Sequence, residues 1–317
     1  MRTLHKVGAF GACLALTLGA AYGVGNAVGP VDAEPEAAPH DSHAAQDDGA
    51  AGDGGGGGHG GHGGGGGGGA ESSGAAPAGL QVTERGYTLH PMLTETPVAG
   101  EETDFAFHIL GPDGQPVTGY QENHEKDLHL IVVRRDQSGY QHVHPTLGAD
   151  GLWTVPLTFA SGGDHRVFAD FTPAGDPEGQ LTLGVDVAVE GPYQPAPQPE
   201  HAATATVDGY TVTLDGELTA GGDSELTLSV SRDGRPVTDL QPYLGAYGHL
   251  VVLRAGDLAY LHVHPEGEPG DGETPSGPGI TFHTEAPSDG SYRLYLDFRH
   301  DGAVHTAEFT VTAGHDH

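Results

Sequence analysis

Two hexapeptides, YQHVHP at Tyr140–Pro145 and YLHVHP at Tyr260–Pro265, each carry two histidines one residue apart, followed by proline. A third histidine stands upstream of each pair, His129 in DLHLIVV and His249 in GHLVVL. Alternate residues of a strand share a face, so His142 and His144 project together, as do His262 and His264. If the polar turn RRDQSG closes a hairpin, any register whose paired numbers sum to an odd value brings His129 onto that face. Pairing Val133 with Tyr140, for example, sets Ile131 opposite His142 and His129 opposite His144. Opposed Cβ atoms lie about 4.5–5.5 Å apart and i, i+2 neighbours about 6.8 Å apart, so three imidazoles can converge on one ion. The trio His249, His262 and His264 repeats the pattern, and proline ends each strand.

Three neutral imidazoles without sulfur suit Cu(II), Zn(II) or Ni(II). Soft Cu(I) chemistry is disfavoured, because beyond the N-terminal segment the chain has one methionine, Met92, and no cysteine; Cys13 lies within that segment. Water or a carboxylate would complete the coordination. Asp170 and Asp297 occupy equivalent places in apolar strands, but Arg166 and Arg293 fall on the same strand faces, so structural Arg–Asp pairs are expected instead. His124 aligns with Leu244 and His165 with Tyr292, which places neither in a site common to both copies. His283, His300 and His305 belong to the second copy alone and are expected to be exposed. The competing reading of the trios is a hydrogen-bonded polar cluster with no ion.

The elements that position these residues are duplicated. DGQPVTG from Asp113 aligns with DGRPVTD from Asp233, an offset of 120 that also carries His129, His142, His144 and Pro145 onto His249, His262, His264 and Pro265. Further on, RVFADF from Arg166 matches RLYLDF from Arg293 at an offset of 127, the extra length falling in the loop EGEPGDGETPSGP. Short runs with a period of two, rich in β-branched and aromatic residues, are separated by Gly, Pro and Asp-Gly turns. About seven strands in roughly a hundred residues predict an immunoglobulin-like antiparallel sandwich, and the duplication predicts an all-β chain with two in tandem. The expected division is a signal peptide or membrane anchor at 1–33, a disordered Gly/His-rich acidic tether at 34–79, a first β-sandwich repeat at 80–190, a Pro-rich linker at 191–200, a second repeat at 201–313 and a His-rich tail at 314–317.

The 317-residue chain has 44 acidic and 12 basic residues and a formal net charge of −32. Such a surface repels nucleic acid and anionic headgroups and attracts metal cations. Arg2 and Lys6 precede an uncharged stretch from Val7 to Val31 of about bilayer-spanning length, which reads as an export signal, cleaved or retained. Everything after Asp32 is then extracytoplasmic, and the membrane is met through that segment alone. His40, His43, His59 and His62 in the tether, and His315 and His317 in the tail, read equally as loose metal-gathering positions or as incidental composition.

The segments DLHLIVVRRDQSGYQHVHP and GHLVVLRAGDLAYLHVHP resemble the hairpin of exported YtkA-like and FixH-related β-sandwich modules, over each repeat from the DG-P turn to the DF strand. The resemblance implies an immunoglobulin-like fold and association with bacterial heavy-metal handling, particularly of copper, with a metal-handling membrane protein as a candidate partner. The histidine pair is also similar to that of Cu/Zn superoxide dismutases. Pro145 and Pro265 stand where that motif continues with glycine, and its cysteines and zinc-ligand loop are missing, so catalysis is not expected. The sequence therefore predicts a non-enzymatic binder or buffer of Cu(II) or Zn(II) through His129, His142, His144, His249, His262 and His264, the alternative being a cell-surface scaffold or adhesion module.

Overall fold

The structure is a computed structural model that describes residues 76–314. The expected signal or anchor, the tether up to residue 75, and His315 and His317 lie outside the described residues.

The first repeat opens with β1 (Thr83–Glu84), β2 (Tyr87–Pro91), β3 (Glu102–Leu110), β4 (Tyr120–Gln121) and β5 (Leu128–Arg134). It continues with β6 (Gln141–Val143), β7 (Thr146–Leu147), β8 (Leu152–Thr158), β9 (Gly163–Pro173) and β10 (Leu181–Val189). The second repeat opens with β11 (Thr204–Val207), β12 (Tyr210–Asp215), β13 (Leu218–Thr219), β14 (Asp223–Arg232), β15 (Arg235–Pro236) and β16 (Gly248–Arg254). It closes with β17 (Tyr260–Leu261), β18 (Val263–Pro265), β19 (Gly279–Glu285), β20 (Gly290–His300) and β21 (Ala303–Gly314).

Each repeat is a two-sheet sandwich. In the first, the order β1-β2-β3-β8-β7 faces β10-β9-β5-β6; in the second, β11-β12-β14-β19-β18 faces β13-β21-β20-β16-β17. The period-two pattern explains the layers: along β3, Phe105, Phe107 and Ile109 turn inward, and they meet Leu128, Leu130 and Val132 of β5 in one apolar core. The second repeat builds its core in the same way around Val252, Phe282, Leu294 and Phe298.

All seven residues of β5 are buried, because its outer face is covered as well. Ile131, Val133 and Phe168 of the first repeat pack against Val251, Leu253, Leu258 and Tyr295 of the second, forming a third core between the repeats. The ring of Tyr140 stacks on Tyr295 at 4.1 Å, and Tyr260 lies 5.6 Å from Phe168. Under the duplication Tyr140 corresponds to Tyr260 and Phe168 to Tyr295. The same contact is therefore made twice with the roles exchanged, as across a two-fold axis. Residues 78 and 79, expected in the tether, are pinned at this junction: the Tyr260 N–H donates to the Ala78 carbonyl, and the Arg166 guanidinium donates to that of Gly79. Gly79 has φ +73°, and a Cβ there would meet the Phe168 ring at 2.7 Å, so both conformation and space require glycine.

Candidate metal centre

β5 and β6 pair with Leu130 opposite Val143, Ile131 opposite His142 and Val132 opposite Gln141, an odd-sum register, the condition under which the three histidines share a face. The chain then leaves this sheet through His144 and Pro145 and joins the other as β7, paired to β8. One nitrogen from each of His129, His142 and His144 falls in a group whose members lie within 4.8 Å of one another. His129 Nδ1 is 3.0 Å from His142 Nε2 and 3.2 Å from His144 Nε2. With nitrogen–ion distances of about 2.0–2.1 Å, two ligands at 90–109° on one ion stand about 2.9–3.4 Å apart. Ring centroids in the trio are separated by 4.9–5.2 Å, close to the roughly 5 Å that the same bond lengths give.

Hydrogen bonds behind the rings fix their tautomers. His129 Nε2–H donates to the Asn123 carbonyl at 3.0 Å, and His142 Nδ1–H donates to Asp297 Oδ2 at 2.8 Å. In the neutral rings, His129 Nδ1 and His142 Nε2 then both present lone pairs across 3.0 Å. Only a cation or a shared proton between them makes that contact favourable. Burial, followed by the neighbouring His142, pushes His129 down to about 4; burial and the adjoining histidines push His144 down to about 3. Both rings thus keep a lone pair free at neutral pH.

Asp297 comes from the second repeat, so the two repeats build this arrangement together. It is not paired with Arg293, nor is Asp170 with Arg166. Four residues along a strand span about 13 Å, whereas partners directly across a ladder are near. Asp170 faces Thr182 and Asp297 faces Thr306, each accepting that threonine's hydroxyl, at 2.8 and 2.6 Å. Arg166 instead reaches Asp186 at 3.3 Å, and Arg293 pairs with Glu308. Burial raises Asp170 to about 6.

The second copy does not reproduce the trio's geometry. β17 ends at Leu261, and β18 has already crossed to the other sheet, where His264 pairs with His283 of β19. Its histidines therefore leave the sheet that holds His249. The equivalent of His283 in the first repeat is Pro156, which has no N–H to offer the crossing strand. Pairing there begins only at Thr146, and His144 stays free to turn toward His129.

Comparison of the repeats points away from His124, yet its ring lies 5.1 Å from His249 and 6.2 Å from His129. It sits at φ +49° in a tight turn bridged by Asn123 and Lys126. The matching turn carries Leu244 at φ +55°, and its Tyr243 ring lies 6.4 Å from His144. Each turn thus overhangs the histidines of the other repeat, which no single repeat's sequence discloses. His124, His129, His142, His249, His262 and His264 line one cavity of about 70 Å³. Among the other histidines, His165 is buried on Phe159 and bonded to the Gly163 carbonyl. His283 is exposed. Contrary to expectation, His300 is buried and His305 half-buried. The hairpin of β20 and β21 packs both on Tyr210, where His300 bonds the tyrosine hydroxyl at 2.7 Å and His305 bonds Asp208 at 2.8 Å.

Residues 82–190 and again 205–315 match the family described as Domain of unknown function (DUF8832). The chain belongs to the DUF8832 family. The two DUF8832 copies coincide with the duplication read above; because the family carries no assigned chemistry, the copper association implied by the YtkA-like resemblance stands as a proposal. No curated protein matches the sequence. Among solved structures, the Yersinia pseudotuberculosis adhesin InvE is 13% identical over 72% of this chain and 59% of its own, with a TM-score of 0.21. Invasin, a bacterial integrin-binding protein, is 16% identical over 73% and 39%, with a TM-score of 0.22. Domains 5–6 of the S-layer protein SbsC are 14% identical over 73% and 98%, with a TM-score of 0.21. The chain thus spans less than two thirds of the first two proteins' lengths, and at these TM-scores the likenesses carry no weight for function.

Proposed function

We propose that the protein is a non-catalytic extracytoplasmic binder or buffer of a divalent transition metal, held by His129, His142 and His144. The observation that carries this reading is the convergence of His129 Nδ1, His142 Nε2 and His144 Nε2, 3.0 and 3.2 Å apart, with two of the rings oriented by hydrogen bonds on their far nitrogens. Such backing of ligand imidazoles by carboxylate or carbonyl is how metal sites fix tautomer and raise ligand basicity. Three nitrogens with an open position suit Cu(II) or Zn(II). Copper is favoured by the resemblance to YtkA-like modules, and a metal-handling membrane protein is the candidate recipient.

A second reading has its own support. The apolar core between the repeats and the His142–Asp297 bond across it suit a rigid tandem scaffold on the cell surface, in which the histidines serve docking. Competition titration of the full chain with Cu(II) and Zn(II) separates the two. The triple variant His129→Asn, His142→Gln, His144→Gln is expected to lose at least a hundredfold in affinity for the tightest ion. Unchanged affinity would leave the scaffold reading.

A further inference from the structure

Four histidines of the shared cavity stay outside the trio: His124 from the first repeat and His249, His262 and His264 from the second. His249 does not belong to the first set, because its ring lies 6.3 Å from His129 and 6.2 Å from His142, beyond the roughly 5 Å of rings on one tetrahedral ion. It stands 5.1 Å from His124, with the planes at 83°. His249 Nε2–H donates to the Tyr243 carbonyl at 2.8 Å, as His129 does to Asn123, and this leaves Nδ1 as the lone-pair nitrogen of a buried ring. His262 and His264 have ring centroids 4.3 Å apart and remain exposed while lining the cavity, so they stand where it opens to solvent. A volume of about 70 Å³ exceeds the roughly 30 Å³ share of one water, which leaves room for an ion with a water ligand.

We propose that this cavity takes a second divalent transition-metal ion between the repeats, with His124 and His249 as its fixed nitrogens and the exposed side chains of His262 and His264 swinging in from the solvent side to close it, since among the described residues only His129, His142 and His144 already converge. This ion is distinct from the one proposed for His129, His142 and His144, although His129 and His142 line the same cavity. Its donors come from both repeats, so it forms only when they are docked. The exposed pair makes it the more readily exchanged of the two ions, suited to loading and release.

The test is Cu(II) titration of the full chain under glycine competition, which strips ions held loosely by the low-complexity histidines, followed by electron paramagnetic resonance. Two retained Cu(II) per chain are expected, with dipolar broadening as the second equivalent enters, because two ions in one cavity are close neighbours. His124→Leu with His249→Gln should retain one ion, without broadening; the leucine matches Leu244, which the equivalent turn already carries. His262→Gln with His264→Gln, at exposed positions that leave folding intact, should weaken the second ion at least tenfold and spare the first. The triple variant of the first trio should lose the other ion and keep this one, so the two proposals fail separately. A native chain retaining a single ion, or retention of two coupled ions after both paired substitutions, would overturn the second site.

Discussion

At the residue scale the arrangement turns on Asp297, a carboxylate of one repeat that orients an imidazole of the other. Asp297→Asn leaves the shape of the site but can no longer hold the Nδ1–H tautomer of His142 with an anion. Removal of such a partner typically costs about 10–100-fold in metal affinity, and competition titration of D297N should show a loss in that range. Affinity equal to the native chain would make the His142–Asp297 bond a docking contact only. The same burial predicts acid sensitivity of the metal-free protein. His129, His144 and His249 are held at about 4, 3 and 3 in the folded state. Unfolded, they take up protons near 6.5, so stability falls as pH drops from about 6.5 toward 4. Asp170, raised to about 6, acts in the opposite direction over roughly the same interval, since its unfolded carboxyl ionises near 3.9. Three histidines outweigh one aspartate. The urea midpoint of the metal-free chain should therefore fall between pH 7 and pH 4.5, and a constant or rising midpoint would contradict the assignment.

At the element scale, the two copies part where the strand crosses between sheets, opposite Pro156 in one and His283 in the other. Pro156 cannot donate to the crossing strand, whereas His283 can, and His264 is drawn into the ladder while His144 is not. Pro156→His should extend the β7–β8 pairing back to His144, turn that ring from His129 and weaken the first ion by tenfold or more, read by the same titration. Undiminished affinity would show that Pro156 does not set the crossing point. The strands were legible in the period of two, and the odd-sum register of the first hairpin is the one, among those the turn allows, under which its histidines share a face. The divergence of the second hairpin was not legible: it depends on a backbone donor in β8 and β19, far along the chain from YQHVHP and YLHVHP. The Arg–Asp pairing failed for a related reason, since partners on neighbouring strands lie nearer than residues four apart on one strand.

At the scale of the whole molecule, duplication was plain in the sequence but docking was not. LHLIVV is apolar at both parities, the mark of a strand covered on two faces, yet it does not say what covers it. The cover is the equivalent face of the other repeat, and this arrangement brings His124 to His249 and Asp297 to His142. Because Leu253 is buried in the core between the repeats, Leu253→Asp places an unpaired charge there. Calorimetry of the native chain should show one cooperative transition, and that of L253D two separated ones, as each sandwich melts alone. A single, unshifted transition in the variant would mean that the repeats do not stabilise one another.

The central claim is that His129, His142 and His144 hold one ion, and nitrogen hyperfine structure tests it most directly. With one equivalent of Cu(II) on the full chain under glycine competition, electron paramagnetic resonance should count three coordinated imidazole nitrogens, and the triple variant should lose that spectrum. An identical nitrogen count and spectrum in the variant would contradict the account.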